Sequence, residues 1–457
     1  MVLKEKPAKK TALPDLGLTM AGVHFRSPVG VAAVGNAFGR ELYHDAKKHA
    51  ETNAKVLLDH VRAGAGYVYL QFQHITDETL RKLRERARPE ERHYLPPGGF
   101  QLRALKAGDE GMYFLVSPFW NTPEMARNVG PGKEMIMEIL KKKLPEDVPI
   151  IANISGQGDL ADTYVDPARR AEELGAAMVE INFSCPVPAG MAGAVEDYFQ
   201  KRYPARFQGL LLEYPEIIDE ITRAVVKAVK IPVGAKFSGE LGFPYIIGIA
   251  KIVRDAGAKY IQVINGAISI APPDIYHQGR SPWPFTDGNA FTLTSGSWLR
   301  WALYRDVAAI ARFVPGIDIA AAGGLSKPEH CIEAMMLGAR HTQICAGVIQ
   351  QGRGLIRRSN DFMKKFMEEQ GYQKVEDFIG IAQQHIKYSE EIDLMPGQVI
   401  SRLDEAKCTR CGRCMDTICI AIHSEKGKIT VDPEKCAGCG GCQLVCPENA
   451  FTLELRG

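Results

Sequence analysis

Long apolar runs are missing from this 457-residue chain. A membrane-spanning helix needs about twenty mostly apolar residues, so the sequence offers no candidate span. Residues Met1 to Lys10 are polar and lysine-rich. They lack the apolar stretch of an export signal, and residues 1–12 read as a terminal tail. Charge of one sign is not in excess either: 56 Lys and Arg face 54 Asp and Glu, a net charge of +2. No basic stripe with interleaved aromatics occurs, which argues against nucleic acid as a partner. No G-x-G-x-x-G motif follows a strand and opens a helix, so direct use of NAD(P)H is not expected. The eleven histidines are scattered, without the helical pairing of a mononuclear metal site. Cysteine is nearly absent from the first 400 residues, where only Cys185, Cys331 and Cys345 occur. A disulfide scaffold would not leave most of a chain so bare. With no export signal, the expected setting is cytoplasmic.

The other eight cysteines crowd into residues 408 to 446. Cys408, Cys411, Cys414 and Cys419 read C-x-x-C-x-x-C-x-x-x-x-C. Cys436, Cys439, Cys442 and Cys446 read C-x-x-C-x-x-C-x-x-x-C, with Pro447 next. Two-residue spacing lets one tight loop present three thiolates to three corners of a cubane. In two-cluster ferredoxins the fourth thiolate comes from the other run. That assigns Cys408, Cys411, Cys414 and Cys446 to one [4Fe–4S] cluster, and Cys436, Cys439, Cys442 and Cys419 to a second. Zinc ribbons also use C-x-x-C, but they need two pairs rather than a triplet plus one. The first run departs from the ferredoxin pattern by one extra residue and by Ile420 in place of proline. Lys428–Val431 and Phe451–Leu455 read as small strands flanking the clusters.

Before this module, apolar β-rich runs alternate with helical patterns. The runs are Val29–Val34, Tyr67–Phe72, Ile150–Ser155, Met178–Ser184, Val233–Phe237, Tyr260–Asn265, Ile317–Ala322 and His341–Ala346. Pro215–Lys230 and Lys327–Leu337 are among the helices. Eight such units predict an α/β fold, a (β/α)8 TIM barrel, followed by a small two-cluster ferredoxin-like α+β domain. A doubly wound sheet is the alternative. Met112–Phe119 is a ninth run, read as an excursion outside the barrel. The expected organisation is a tail over 1–12, a barrel over 13–360, a helical linker over 361–400 and the cluster domain over 401–457. Barrel chemistry sits at strand C-termini, which here carry Asn182-Phe183-Ser184-Cys185-Pro186, Lys236, Asn265-Gly266, Gly323-Gly324 and Ala346-Gly347. The glycines after strands seven and eight match the place where barrels bind phosphate.

Asn182-Phe183-Ser184-Cys185-Pro186 resembles the Asn-x-Ser-Cys-Pro signature of class 1 dihydroorotate dehydrogenases and of dihydropyrimidine dehydrogenase. Ala235-Lys236-Phe237, Ser281-Pro282-Trp283-Pro284, Ser295-Gly296, Ala322-Gly323-Gly324 and Gln343-Ile344-Cys345-Ala346 follow in that family's order. A two-cluster ferredoxin module directly after the barrel belongs to the same pattern. The resemblance implies FMN in the barrel. Lys236 would face the flavin N1–C2=O edge. Ser295, Gly296, Gly323, Gly324 and Gly347 would hold the phosphate, and Asn182 and Asn265 would bind substrate amides. Cys185 would act as general acid or base beside hydride transfer at flavin N5. Cys331 and Cys345 are expected as packing residues.

The reaction so implied is oxidation or reduction of a CH–CH bond, with uracil or thymine and their 5,6-dihydro forms as default substrates. Three departures widen the choice: Gln71 where the family usually has lysine, Val187 after the Cys-Pro pair, and Gly266-Ala267 after Asn265. Ala189–Gly209, with Tyr198, Phe199, Tyr203 and Phe207, reads as a longer aromatic lid. Dihydroorotate or a non-pyrimidine unsaturated substrate is therefore a second reading, and an electron-transfer subunit without substrate chemistry a third. The expected partner is a separate NAD(P)H-oxidising flavoprotein subunit or a soluble ferredoxin, in an oligomer.

Overall fold

The computed structural model describes residues 14–33, 45–86, 101–105, 112–116, 123–156, 158–184, 214–239, 241–270, 272–280, 292–392 and 398–456. The expected tail, Cys185, Val187, the aromatic segment 189–209 and Ser281–Pro284 lie outside them. The chain forms two compact units, residues 1–384 and 385–457.

The first unit is built on eight parallel strands. These are β1 (Val29–Val31), β2 (Val68–Phe72), β3 (Ile150–Ile154), β4 (Met178–Asn182), β5 (Val233–Lys236), β6 (Tyr260–Val263), β7 (Asp318–Ala322) and β8 (His341–Ile344). Neighbours follow chain order from β2 through β8, and β8 pairs back onto β1. Across the remaining gap, Gly66 N–H donates to Val29 O at 3.0 Å. The result is a near-closed TIM barrel, as the alternation of elements predicts. The strands are short and apolar, and helices cover their outer faces. Helix Pro215–Ala228 shows why these segments pack: Ile217, Ile218, Ile221 and Val225 recur at helical spacing and all are buried. No helix among the described residues is long and apolar enough to cross a membrane.

The ninth run forms strand Met112–Val116. It lies in a separate antiparallel sheet with Gln101–Leu105, Thr292–Ser295 and Ala267–Ser269. The excursion leaves the barrel circuit as expected. Residues 361–384 belong to the first unit: Met363, Met367, Val375 and Phe378 are buried in its core. Much of the segment expected to link the units is thus barrel wall.

The lumen departs from the usual barrel filling of branched apolar side chains. Successive side chains on a strand alternate faces, so Tyr69 and Gln71, Glu180 and Asn182, and His341 and Gln343 share the inward face. Tyr69 Oη donates to Glu180 Oε2 at 2.9 Å and lies 3.5 Å from His341 Nε2. Asn153 Nδ2 donates to Glu180 Oε1 at 2.8 Å. Side chains from β2, β4 and β8, which are not all neighbours, meet only across the lumen.

The second unit has two antiparallel pairs, Val399–Leu403 with Phe451–Leu455 and Ile422–Glu425 with Lys428–Val431. Its small core includes Ile400, Ile422, Ile429, Phe451 and the thiols of Cys414, Cys436 and Cys442. So few apolar residues suit a domain that relies on bound metal for stability.

Candidate functional site

Three strand ends assemble the top of the barrel. Phe183 N–H donates to Lys236 O at 3.1 Å, Phe237 N–H to Gln262 O at 2.9 Å, and Asn265 N–H to Phe237 O at 2.9 Å. These bonds continue the β4–β5–β6 ladder by a residue or two and hold Ser184, Ser238 and Asn265 side by side. Parallel register sets Lys236 between Asn182 and Gln262.

Lys236 is 2% exposed, yet its ammonium makes no hydrogen bond or ion pair with any described residue. A buried charge normally needs a partner, since an uncompensated one costs several kcal/mol. Around it lie buried amide atoms also without a protein partner: Gln71 Oε1, Gln262 Oε1 and Nε2, Asn265 Nδ2 and Gln343 Oε1. Native interiors leave few such atoms, and each one calls for an explanation. One ammonium and several convergent amide groups suit a flat ligand that hydrogen-bonds along its edges and carries negative charge next to Lys236.

Asn182 is more committed than its motif suggests. Its Oδ1 accepts from Ser184 N–H at 3.1 Å and from Ser184 Oγ–H at 2.8 Å, while Nδ2 donates to Asn153 Oδ1 at 3.2 Å. One amide hydrogen remains for a ligand. Asn265 keeps its Nδ2 free.

The glycines form a second patch beside this one. Gly324 has φ +76°, and a Cβ there would lie 2.4 Å from Arg300 N, at the start of helix Arg300–Phe313. Only glycine lets these backbones approach so closely. Gly323 sits against Ile264 and Gly347 against Leu325 O. Ser295 and Gly296 lead into the turn before the same helix. Ser295, Gly296 and Gly324 therefore lie at one helix N-terminus, a setting that favours an anion, while Gly323 and Gly347 pack against Ile264 and Leu325.

Below Lys236 lie groups the sequence reading did not single out. Glu180 is fully buried. Burial raises its carboxyl above the ordinary range, and Lys236, Tyr69 and Asn153 oppose that rise. His341 is held neutral, its value lowered to about 3 by burial. A polar residue at an inward position of an otherwise apolar run (Glu180 in MVEIN) was the available signal. Cys331 is buried in the core, and burial pushes its thiol up to about 11. Desolvation pushes Cys345 up to about 11 as well, against the pull of Lys236. Both stay protonated at neutral pH.

In the second unit, Cys408, Cys411 and Cys446 lie near enough to Cys414 to raise its thiol, after the larger effect of burial. These are the four cysteines that the sequence reading assigns to one cluster. Ser401 N–H points to Cys436 Sγ at 3.3 Å, Ser401 Oγ lies 3.0 Å from Cys442 Sγ, and Ala450 N–H points to Cys446 Sγ at 3.3 Å. Hydrogen bonds to sulfur of this kind tune cluster potentials. Among the described residues no three His, Cys, Asp or Glu side chains close on a single metal ion.

Residues 127–367 match the dihydroorotate dehydrogenase family model, more than half of the chain. The chain belongs to the dihydroorotate dehydrogenase family. That is a family of oxidoreductases acting on CH–CH bonds, and Lys236 and the glycine patch lie within the matched span. Residues 428–451 match a 4Fe-4S binding domain, which covers the second cysteine run. The NAD-dependent dihydropyrimidine dehydrogenase subunit PreA of Escherichia coli K12 is 26% identical over 279 residues, 60% of this chain and 63% of that subunit. The chain thus spans less than two thirds of that relative. The catalytic subunit of dihydroorotate dehydrogenase B (NAD(+)) from Methanocaldococcus jannaschii is 28% identical over 263 residues, 55% of this chain and 74% of that subunit. A crystal structure of the Eimeria tenella dihydroorotate dehydrogenase in complex with ferulenol superposes with a TM-score of 0.54 at 16% identity. It covers 81% of this chain and 89% of that one, a likeness of fold.

Proposed function

We propose that this chain is an FMN- and iron–sulfur-dependent oxidoreductase acting on a CH–CH bond of a pyrimidine-like substrate. The default pair is uracil or thymine and its 5,6-dihydro form. The observation that carries the reading is the buried, unpartnered Lys236 ammonium ringed by unpartnered amides beside a glycine-lined helix N-terminus. A flavin mononucleotide matches each part: a phosphate for the glycines, a hydrogen-bonding edge for the amides, and an anionic N1–C2=O edge when reduced. When bound, FMN supplies hydride transfer at N5.

The chain's own residues would do the rest. Lys236 holds negative charge at a fixed point, which costs no reorganisation when that charge develops. Gly323, Gly324, Gly347, Ser295 and Gly296 bind the phosphate. Asn265 and the remaining amide hydrogen of Asn182 orient substrate. Cys185 holds or gives the proton at the carbon next to the one exchanging hydride. Its thiol suits that role because an ordinary value near 8.5 leaves it mostly protonated yet able to ionise. Cys408, Cys411, Cys414 and Cys446, and Cys436, Cys439, Cys442 and Cys419, would hold two [4Fe–4S] clusters that exchange electrons with the flavin. Ile418, Ile420 and Leu444 stand exposed among these cysteines. They suit docking of a redox partner, a flavoprotein NAD(P)H-oxidising subunit or a soluble ferredoxin.

Gln71 favours a second substrate class, dihydroorotate or another unsaturated compound. An uncharged amide with an unpartnered oxygen stands where the family resemblance expects lysine. A site missing a hydrogen-bonding or charged partner changes which substrate it accepts.

The test is direct. The purified chain is loaded with FMN, bleached anaerobically, and offered candidate substrates one at a time. Reoxidation by uracil or thymine supports the first reading. Reoxidation by another unsaturated compound supports the second. No reoxidation by any compound would leave an electron-transfer subunit. Cys185→Ala should keep flavin and clusters bound while slowing reoxidation by about 10²–10⁴-fold; unchanged turnover would remove Cys185 from the mechanism.

A further inference from the structure

Glu180 is the one buried carboxylate in the lumen cluster, and the reaction as described gives it no task. It is fully buried on β4, two residues below Asn182 and opposite Gly234 in the β4–β5 register. Lys236 stands two residues further along β5. Glu180 therefore lies one layer beneath the ammonium, too far for an ion pair within 4 Å but within reach of its field. Both of its oxygens are engaged, Oε2 by the Tyr69 hydroxyl and Oε1 by the Asn153 amide.

Opposing influences bear on this carboxyl. Burial disfavours its charge; Lys236 and the two donors favour it. The other described titratable groups facing it stay uncharged. Burial raises the hydroxyls of Tyr67, Tyr69 and Tyr260 well above their ordinary value, and burial keeps His341 neutral. Among the described residues, Lys236 is thus the positive charge that offsets Glu180.

We propose that Glu180 is a redox-linked proton site, ionised while Lys236 faces a neutral ligand and protonated once that ligand becomes an anion. The inference rests on the reading that FMN binds at Lys236. A ligand anion at the top of the lumen neutralises the ammonium's field. The charge on Glu180 is then uncompensated in a low-dielectric interior, and it takes a proton. The Tyr69 hydroxyl can accept from the new carboxylic acid and turn its own hydrogen toward His341 Nε2, 3.5 Å away, an atom the Gln343 amide also approaches at 3.4 Å. The balance is simple. Two electrons from an external donor and one proton go to the flavin. One further proton from solvent ends on Glu180 Oε2, and Glu180 returns it on reoxidation.

The experiment is a potentiometric titration of the flavin in the full-length, FMN-loaded protein between about pH 6 and pH 9, read from the flavin difference spectrum. For a two-electron couple, each proton taken up contributes about 30 mV per tenfold change in proton concentration. The native protein should show about 59 mV per pH unit and Glu180→Gln about 30 mV per pH unit. A second measurement needs no variant: the reduced-minus-oxidised infrared spectrum of the native protein should show the carbonyl stretch of a newly protonated carboxylic acid. A flavin-loaded native protein with a slope near 30 mV per pH unit and no such band overturns this proposal alone. A full slope and band that persist in Glu180→Gln place the proton elsewhere and overturn it too. A protein that binds no FMN overturns the flavin reading, a distinct result.

Discussion

Replacing Lys236 with methionine should lower flavin affinity while leaving stability nearly unchanged. Methionine keeps the length and most of the volume of lysine while removing the charge. The ammonium is buried at 2% exposure with no hydrogen-bond partner among the described residues, so its desolvation cost is offset mainly through space, by the Glu180 carboxyl beneath it. Removing one charge of a buried, interacting pair is destabilising when the other stays charged, and close to neutral only when the other loses its charge as well. Glu180 loses its opposing charge in the variant and becomes a neutral acid, which retains its bonds to Tyr69 and Asn153. The flavin-free Lys236→Met protein should therefore melt close to the native temperature. Flavin binding should suffer, because a hydrogen bond from a charged donor contributes about 1.5–3 kcal/mol. That corresponds to roughly ten- to hundred-fold weaker FMN binding. Scanning calorimetry of flavin-free protein and titration of FMN fluorescence measure the two quantities. A variant that melts well below the native protein and binds FMN equally well would refute the argument, and would make Lys236 a structural residue.

Gly324→Ala should destabilise the barrel by about 1–3 kcal/mol and weaken FMN binding, because the residue has φ +76° and its Cβ would sit 2.4 Å from Arg300 N; thermal melting and FMN titration read both. His341 makes stability fall with acid. It stays neutral in the fold down to about pH 3, whereas an unfolded histidine protonates below about 6.5. The unfolded chain therefore binds more protons in that window, and stability drops by about 1.4 kcal/mol per pH unit for this one group. His341→Gln should remove that slope from urea unfolding curves compared at pH 6.5 and pH 5, and an unaltered slope would contradict it. In the cluster domain, Cys446→Ala and Cys408→Ala should abolish the same cluster and Cys419→Ala the other, judged by iron content and by the paramagnetic signal that survives; loss of the Cys408 cluster on removing Cys419 would reverse the assignment.

The most legible features were local ones. The two C-x-x-C-x-x-C runs stand out within a dozen residues each, the second inside the 4Fe-4S match, because a tight loop brings three thiols together by local spacing alone. The strands were legible from apolar runs of five to seven residues, and the Met112 run from its being one too many for the circuit. Lys236 and the glycines stood at strand ends, where a barrel places its chemistry. Other properties depended on closure of the barrel. Glu180, Tyr69 and His341 are separated by more than a hundred residues in sequence and meet because β2, β4 and β8 share one lumen. Asn182 carries the motif of a ligand-binding amide, yet its oxygen is spent on Ser184, which depends on local backbone geometry that residue identity does not state. Gly324 is needed because the start of a helix passes within 2.4 Å of where its Cβ would be, and no residue beside it in the chain signals that approach. The alternation of residues along each strand determined which side chains face inward. Only the assembled barrel decided which of them face one another, because contact energies and charges act through space rather than along the chain.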